Sequence, residues 1–189
     1  MRVFIGRIFY YCEKLKKYFL NHYLQKRYTL ACKSIGANVK FNGISKITGI
    51  DKMVIGENVH FGDNAFIRAE GGLEIGDNTH FSRNVVIYTH SHNYNGEYLP
   101  YDNSFTYKKV VIGKNVWVGM NVTILPGTQI GEGAIIGAGA TVVGVIPDCS
   151  IIGAAKGKEI KKRDCDHYNL LESKKKYGGV NGEEYEKFR

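Results

Sequence analysis

Residues 55–67 read IGENVHFGDNAFI, residues 75–87 read IGDNTHFSRNVVI and residues 112–124 read IGKNVWVGMNVTI. In each, an aliphatic or Phe residue returns every six positions, a period that belongs to neither a helix nor a lone strand. Outward from these stretches the register runs Ile35, Phe41, Ile47, then Ile55, Phe61, Ile67, then Ile75, Phe81, Ile87, then Ile112, Val118, Ile124, then Ile130, Ile136, Val142, five groups of three. The third residue after the apolar one is Asn or Gly in ten of these fifteen hexads, and the residue directly after it is Gly in eight. Gly and Asn tolerate a left-handed backbone, so one at a fixed place in each hexad marks a tight corner every six residues. Three corners close a triangle, and each group of eighteen residues is one coil. Coils stack about 4.8 Å apart into a prism with a column of Ile, Val and Phe inside. The reading is an all-β solenoid of about five coils, with two extra residues in each of the first two coils assigned to corners.

Around this solenoid the chain divides into a basic segment 1–34, the solenoid 35–155 and a tail 156–189. The net charge of +8 is concentrated in the first segment, which holds eight Lys or Arg against one acid. Basic residues that precede the fold, rather than line its face, argue against nucleic acid as a partner. Phe4, Ile8, Tyr11, Leu15 and Phe19 fall on one helical stripe with Arg7, Lys14 and Lys17 opposite, so an amphipathic helix is expected. Two readings of it stay open: a cap over the open end of the solenoid, or peripheral contact with an anionic membrane. The polar tail reads as a short helix and a loose end. No apolar run approaches the roughly 18 residues of a membrane span, and the start lacks the shape of a secretory signal. Cys12, Cys32, Cys149 and Cys165 show no CxxC or zinc-like spacing. Scattered thiols of this kind suit the cytoplasm, where the protein is placed, with the inner face of the membrane as the variant of that placement.

The register breaks once. After Ile87 the next hexad begins at Ile112 and not near position 93, so about nineteen residues are extruded within the segment 88–111. A loop of this length in a compact solenoid is functional or disordered, and its five Tyr, one Phe and two His argue for a packed, functional one. At its root stands IYTHSH, ending at His92, and after it NVWVG from Asn115 to Gly119.

These motifs resemble those of the hexapeptide-repeat acyltransferases, specifically the maltose and galactoside acetyltransferase superfamily, and most of all its members from capsule and O-antigen gene clusters. The resemblance implies a left-handed parallel β-helix, a homotrimer with active sites between neighbouring prisms, and transfer of acetyl from acetyl-CoA to a carbohydrate acceptor. It implies His92 as the catalytic general base. A sugar hydroxyl is too weak a nucleophile for a thioester until its proton is taken, and a neutral imidazole suits that task. It implies the Met120 backbone N–H, following Trp117, as the oxyanion donor. His90 sits where a hexad corner is expected, and is kept as a corner or acceptor-site residue. Glu70 matches an acidic sugar-binding position, and Asn84 lies on the coil that leads into His92. Gly62 stands where a galactoside enzyme has a sugar-binding Asn, which argues against a simple galactoside.

For the donor, the resemblance implies backbone contacts at Ala138 and Gly144, with Lys156, Lys158 and Lys161 meeting the CoA phosphates. Val143-Gly144 and Ala155-Lys156-Gly157 replace the Thr-Lys and Asn-Pro-Ala elements of the family pattern. His60, His80 and Trp117 are expected to stack on one outer face. The ligand spacing of the trimeric zinc carbonic anhydrases of this fold is not matched, and no metal is expected. The leading function is O-acetylation of a sugar, in a surface-polysaccharide precursor. Its rivals are N-acetylation of an amino nucleotide-sugar or a xenobiotic, and a catalytically silent scaffold.

Overall fold

The computed structural model describes residues 2–155, 159 and 161–177, without the side chains of residues 2–5 and 8. Its residues fall into two compact units, Met1–Ala155 and Lys156–Arg189. The first is a helix α1 (Arg2–Ala31) followed by a parallel β-solenoid of three faces. The first face stacks Ser34–Ile35, Met53–Ile55, Leu73–Ile75, Val110–Ile112, Gln129–Ile130 and Val145–Ile146. The second stacks Lys40–Phe41, His60–Phe61, His80–Phe81, Trp117–Val118, Ile135–Ile136 and Ile151–Ile152. The third, of five strands, runs from Lys46–Thr48 through Phe66–Arg68, Val86–Tyr88 and Thr123–Ile124 to Thr141–Val142.

In-register stacking places like on like inside the prism. Phe41, Phe61 and Phe81 form a parallel stack with ring centroids 4.7 and 4.9 Å apart. Ile67, Ile87 and Ile124 pile up under the third face, all buried. The two Gly and Asn positions of the hexad serve different needs. The corner residues Asn38, Asn58, Asn78 and Asn115 take φ of 55° to 58°, the left-handed conformation that the sequence pattern predicts. Their side chains also form ladders, Asn38 Nδ2 donating to Asn58 Oδ1 at 2.7 Å and Asn58 Nδ2 to Asn78 Oδ1 at 3.0 Å. The Gly directly after the apolar residue is required by close approach instead. A Cβ on Gly62 would stand 2.4 Å from the Ser82 carbonyl carbon of the next coil.

A sixth turn extends the five expected. Ile130 pairs with Ile146, and Ile136 with Ile152. The step from Val142 to Ile146 is four residues, because the chain turns at Gly144 with φ 77° and skips two positions. A register counted in sixes cannot follow that step. The extra residues of the first two coils do lie at the corner between the third and first faces, where Ile50–Lys52 forms a 3₁₀ turn after Gly49.

Helix α1 caps the open end, but through a stripe other than the expected one. Leu24 and Tyr28 are the buried residues among its described side chains, and Tyr28 sets its ring edge-on to Phe41 and donates its hydroxyl to the Ser45 carbonyl at 2.6 Å. Gln25 meets the unpaired edge of the first coil: its Nε2 donates to the Val39 carbonyl at 3.0 Å and its Oε1 accepts from the Phe41 N–H at 2.7 Å. A polar side chain thus does the capping that an exposed edge demands, and an apolar stripe could not reveal it. Tyr11, Leu15 and Phe19 remain 57–65% exposed, whereas Phe4 and Ile8 lie outside the described side chains. In the second unit, α2 (Cys165–Ser173) starts at Asp164, whose carboxylate accepts from the His167 N–H at 2.9 Å.

Candidate active site

The chain leaves the third face after Tyr88 and returns to the first at Val110. Thr89, fully buried, anchors the exit: its hydroxyl donates to the Arg68 carbonyl at 2.8 Å and accepts from the Gly71 N–H at 2.7 Å. From there His90–His92 pairs antiparallel with Phe105–Tyr107, so that His90 faces Tyr107 and His92 faces Phe105. The tip folds around Asp102. Its carboxylate accepts from the Glu97 N–H at 3.0 Å, the Ser104 N–H at 2.8 Å and the Ser104 hydroxyl at 2.5 Å. These bonds, the hydroxyl foremost, hold the Asp102 carboxyl below its ordinary range. The extruded segment is therefore a built ribbon.

His92 stands exposed on this ribbon, stacked on Tyr101 at 3.9 Å and set against Phe105 at 4.6 Å. His92, Tyr98, Tyr101, Asp102, Asn103 and Phe105 line an open cleft of about 600 Å³. His90 does not form a corner. It has no left-handed φ, is only 5% exposed, and begins the ribbon in extended conformation. The chain departs from the prism at this residue, so the corner geometry of the hexad no longer applies. Its Nδ1 lies 3.3 Å from Glu70 Oε2, and Arg68 Nε donates to Glu70 Oε1 at 3.2 Å. Burial, foremost, lowers the His90 pKa, with Arg68 and His92 acting the same way against the pull of Glu70. Glu70 is held below the ordinary carboxylate value: burial alone would raise it, but the neighbouring Thr48 hydroxyl, Arg68 and His90 outweigh burial.

The other sequence candidates lie apart from this group. Asn84 is a corner residue with φ 59°, and both ends of its amide are engaged, accepting from Asn64 at 3.0 Å and donating to Asn121 at 2.9 Å. Its amide builds the prism, which leaves little of it for an acceptor. Trp117 and Met120 are about half exposed, at the second face and at the corner between the second and third faces. His92 leaves from the far corner of the third face, so one prism side of roughly 15–20 Å separates them within a protomer. Elsewhere the corner N–H of one coil finds a carboxylate one coil on, as Glu57 does with Asp77 and Glu132 with Asp148. Above Met120 the corresponding residue is Ala138, and among the described residues no protein acceptor lies on the Met120 N–H. Gly144 turns its open side outward. Lys156 and Lys158 lie outside the described residues, and Lys161 is exposed in the second unit.

His60 and His80 stack on the second face at 4.4 Å, with Trp117 next in the row, as expected. Among the described residues no three His, Cys, Asp or Glu side chains gather as a metal would require. Sequence reasoning passed over Arg68, Thr89, Tyr101 and Phe105. The alternating segments HSH and FTY around an Asn, Asp and Ser-rich tip were the available signal for the last two.

Residues 109–144 match the bacterial transferase hexapeptide family (six repeats), and residues 52–89 match the hexapeptide repeat of succinyl-transferase. No curated protein matches the sequence significantly. Among solved structures, a galactoside acetyltransferase in complex with coenzyme A is similar at 25% identity and TM-score 0.63, over 85% of this chain and 76% of that one. A maltose O-acetyltransferase from Clostridium difficile 630 is similar at 25% identity and TM-score 0.60, over 78% of this chain and 88% of that one. AntD, an N-acyltransferase from Bacillus cereus solved with dTDP and 3-hydroxybutyryl-CoA, is similar at 26% identity and TM-score 0.58, over 74% of this chain and 77% of that one. The repeats and the parallel faces define a left-handed β-helix of the hexapeptide type. The two repeat matches, together with neighbours at 25–26% identity that are acyltransferases, support an acyltransferase built on hexapeptide repeats.

Proposed function

We propose that this acyltransferase moves an acetyl group from acetyl-CoA to a sugar hydroxyl of a surface-polysaccharide precursor, with His92 as general base. The observation that carries this reading is the presentation of His92 at the mouth of a cleft walled by Tyr98, Tyr101 and Phe105. Aromatic rings offer a flat surface to the C–H face of a sugar. In the step itself the His92 imidazole takes the hydroxyl proton as the oxygen attacks the thioester carbonyl. The new C–O bond forms, the tetrahedral intermediate collapses with loss of the C–S bond, and the imidazolium returns its proton to the leaving thiolate. The free Met120 N–H is assigned to the oxyanion. Because Met120 lies a prism side away from His92 in one protomer, the reading requires a neighbouring copy to complete the site. The exposed apolar residues of the last coils, Trp117, Val143, Val145 and Ile151, support such an assembly. Sedimentation should return a trimer, and a fully active monomer would end the shared-site scheme.

The likeness to AntD favours one second reading, N-acylation of an amino sugar carried on a nucleotide. Assay with paired amino and hydroxy acceptors separates the two. The reading puts its action in the cytoplasm, with the inner membrane face as the variant. Among the described residues no helix is long and apolar enough to cross a membrane. The first part of α1 nevertheless exposes Tyr11, Leu15, Tyr18 and Phe19 beside Lys14, Lys16 and Lys17, a composition suited to an anionic interface. Failure of the intact protein to float with phosphatidylglycerol vesicles would reduce α1 to a cap.

The central test is His92→Ala, measured by thiol release from acetyl-CoA with maltose, galactose and glucosamine as probe acceptors. Turnover is expected to fall by about 10²- to 10⁴-fold with the KM for acetyl-CoA little changed. Wild-type turnover in the variant would refute His92 as the base.

A further inference from the structure

Three polar atoms at the root of the ribbon are sealed from solvent and make no hydrogen bond: Glu70 Oε2, His90 Nδ1 and the neighbouring Thr48 Oγ1. Glu70 Oε2 and His90 Nδ1 face each other at 3.3 Å. A carboxylate oxygen in this position cannot be reached by a sugar hydroxyl, which removes half of the group from any role as an acceptor contact. The other oxygen, Oε1, accepts from Arg68 Nε. The Glu70 carbonyl is held as well, accepting from Lys52 Nζ at 2.8 Å, and the same ammonium group lies 5.8 Å above the Tyr107 ring. Tyr107 in turn flanks His90 at 5.6 Å. The carboxylate is thus bound on both sides by its own protein.

The ribbon connects this group to the proposed base. His90 and His92 are two residues apart on one strand, so their side chains share a face. Both rings rest on Phe105, His90 edge-on at 5.3 Å and His92 tilted at 4.6 Å. A shift of the His90 ring would therefore be passed through Phe105 to His92.

We propose that Glu70 is a positioning residue: the Arg68–Glu70–His90 clamp fixes the root of the ribbon and, through Phe105, the stand of the His92 ring. This rests on the reading of His92 as the base. Within the clamp His90 Nδ1 faces Glu70 Oε2 at 3.3 Å, a placement that favours the proton on Nδ1 and leaves Nε2 bare. The lowered His90 pKa agrees with a neutral ring in that role.

The test uses the full chain with histidine labelled at Cε1, its six imidazole signals assigned by single substitution. Glu70→Ala is expected to move the His90 and His92 signals together in the free protein. It should lower kcat by about 10- to 100-fold, the range expected when a reacting group is displaced by about an ångström, with the KM for maltose as probe acceptor little changed. Glu70→Gln keeps an acceptor oxygen for Nδ1–H and should restore both signals and most of kcat. Phe105→Leu should move the His92 signal while leaving His90 in place, and serves if Glu70→Ala does not fold. Unmoved histidine signals in Glu70→Ala, or in Phe105→Leu where that variant has to serve, would overturn the clamp, as would a rise in acceptor KM at constant kcat in Glu70→Ala. Full activity in His92→Ala together with coupled signals in Glu70→Ala would instead leave the clamp standing and remove only the base.

Discussion

The prism and the ribbon are built on opposite principles from the same chain. In the prism each residue rests on its equivalent one coil away, Phe on Phe, Asn on Asn, His on His. The hydrogen bonds there repeat because the sequence repeats. In the ribbon no contact occurs twice: Asp102 gathers one tip, Thr89 one exit, Glu70 one histidine. The prism has many equivalent supports, and it takes up insertions and deletions only at its corners. The ribbon has single supports and holds the candidate chemistry. A repetitive scaffold places a non-repetitive insert rigidly, and only the insert can then gather unlike groups around one ring.

The largest effect should come from the prism. Gly62→Val places a Cβ against the Ser82 carbonyl carbon and, at 2.6 Å, the Arg83 nitrogen, both backbone atoms that cannot turn aside. A cost of about 3 kcal/mol or more is expected, a fall in Tm of roughly 6–12 °C by thermal melting. Gly153→Ala is the control, since a Cβ there meets nothing within 4 Å. Equal melting of the two variants would show that coil spacing is not the constraint on the glycines that follow the apolar residues. Next comes the ribbon. Asp102→Ala frees the Glu97 and Ser104 groups together and should leave Tm nearly unchanged, with faster proteolysis between residues 93 and 104. Tyr101, next to Asp102, would lose its stand against His92, so kcat should fall about 10-fold. A large drop in Tm from this change would mean that ribbon and prism unfold as one.

The same contrast explains what could be read from sequence. Each hexad was visible because fifteen repetitions of one pattern report one structural fact. The sixth turn escaped because its corner is two residues short, so Ile146 and Ile152 fall out of step with Val142. His90 occupies the corner place in its hexad, and the structure puts the chain's departure from the prism there. His92 could be singled out only by the resemblance of IYTHSH, since nothing periodic marks it. Arg68 could not be singled out at all. Its partnership with Glu70 depends on the chain bending around Glu70 at one corner, and with His90 on a ribbon twenty residues further on. Helix α1 shows the limit of stripe reading as well, for the residue that seals the solenoid edge is Gln25.

The smallest expected effect compares the two regions through one titratable type. His60, in the prism, and His90, at the ribbon root, both have pKa values below the ordinary 6.5. Burial is the main cause for each, with His80 and Lys40 adding to it at His60, and Arg68 and His92 at His90, where Glu70 opposes. Above pH 6.5 both are neutral whether the chain is folded or unfolded, so stability should not depend on them. As pH falls below 6.5 the unfolded chain binds protons first, and stability declines until the folded histidines also protonate. Glu70, held below its ordinary value, contributes stability that is present above about pH 4.5 and lost as pH falls through the lowered value. Melting should therefore be nearly flat from pH 8 to 7 and fall as the pH drops toward 5.5. His60→Asn should remove part of the slope while leaving the acid loosening of ribbon amides, seen by hydrogen exchange, in place. His90→Asn should do the reverse. A Tm that rises between pH 6.5 and 5.5 would contradict the lowered values of both histidines, and identical slopes in the two variants would show that the two regions do not titrate independently.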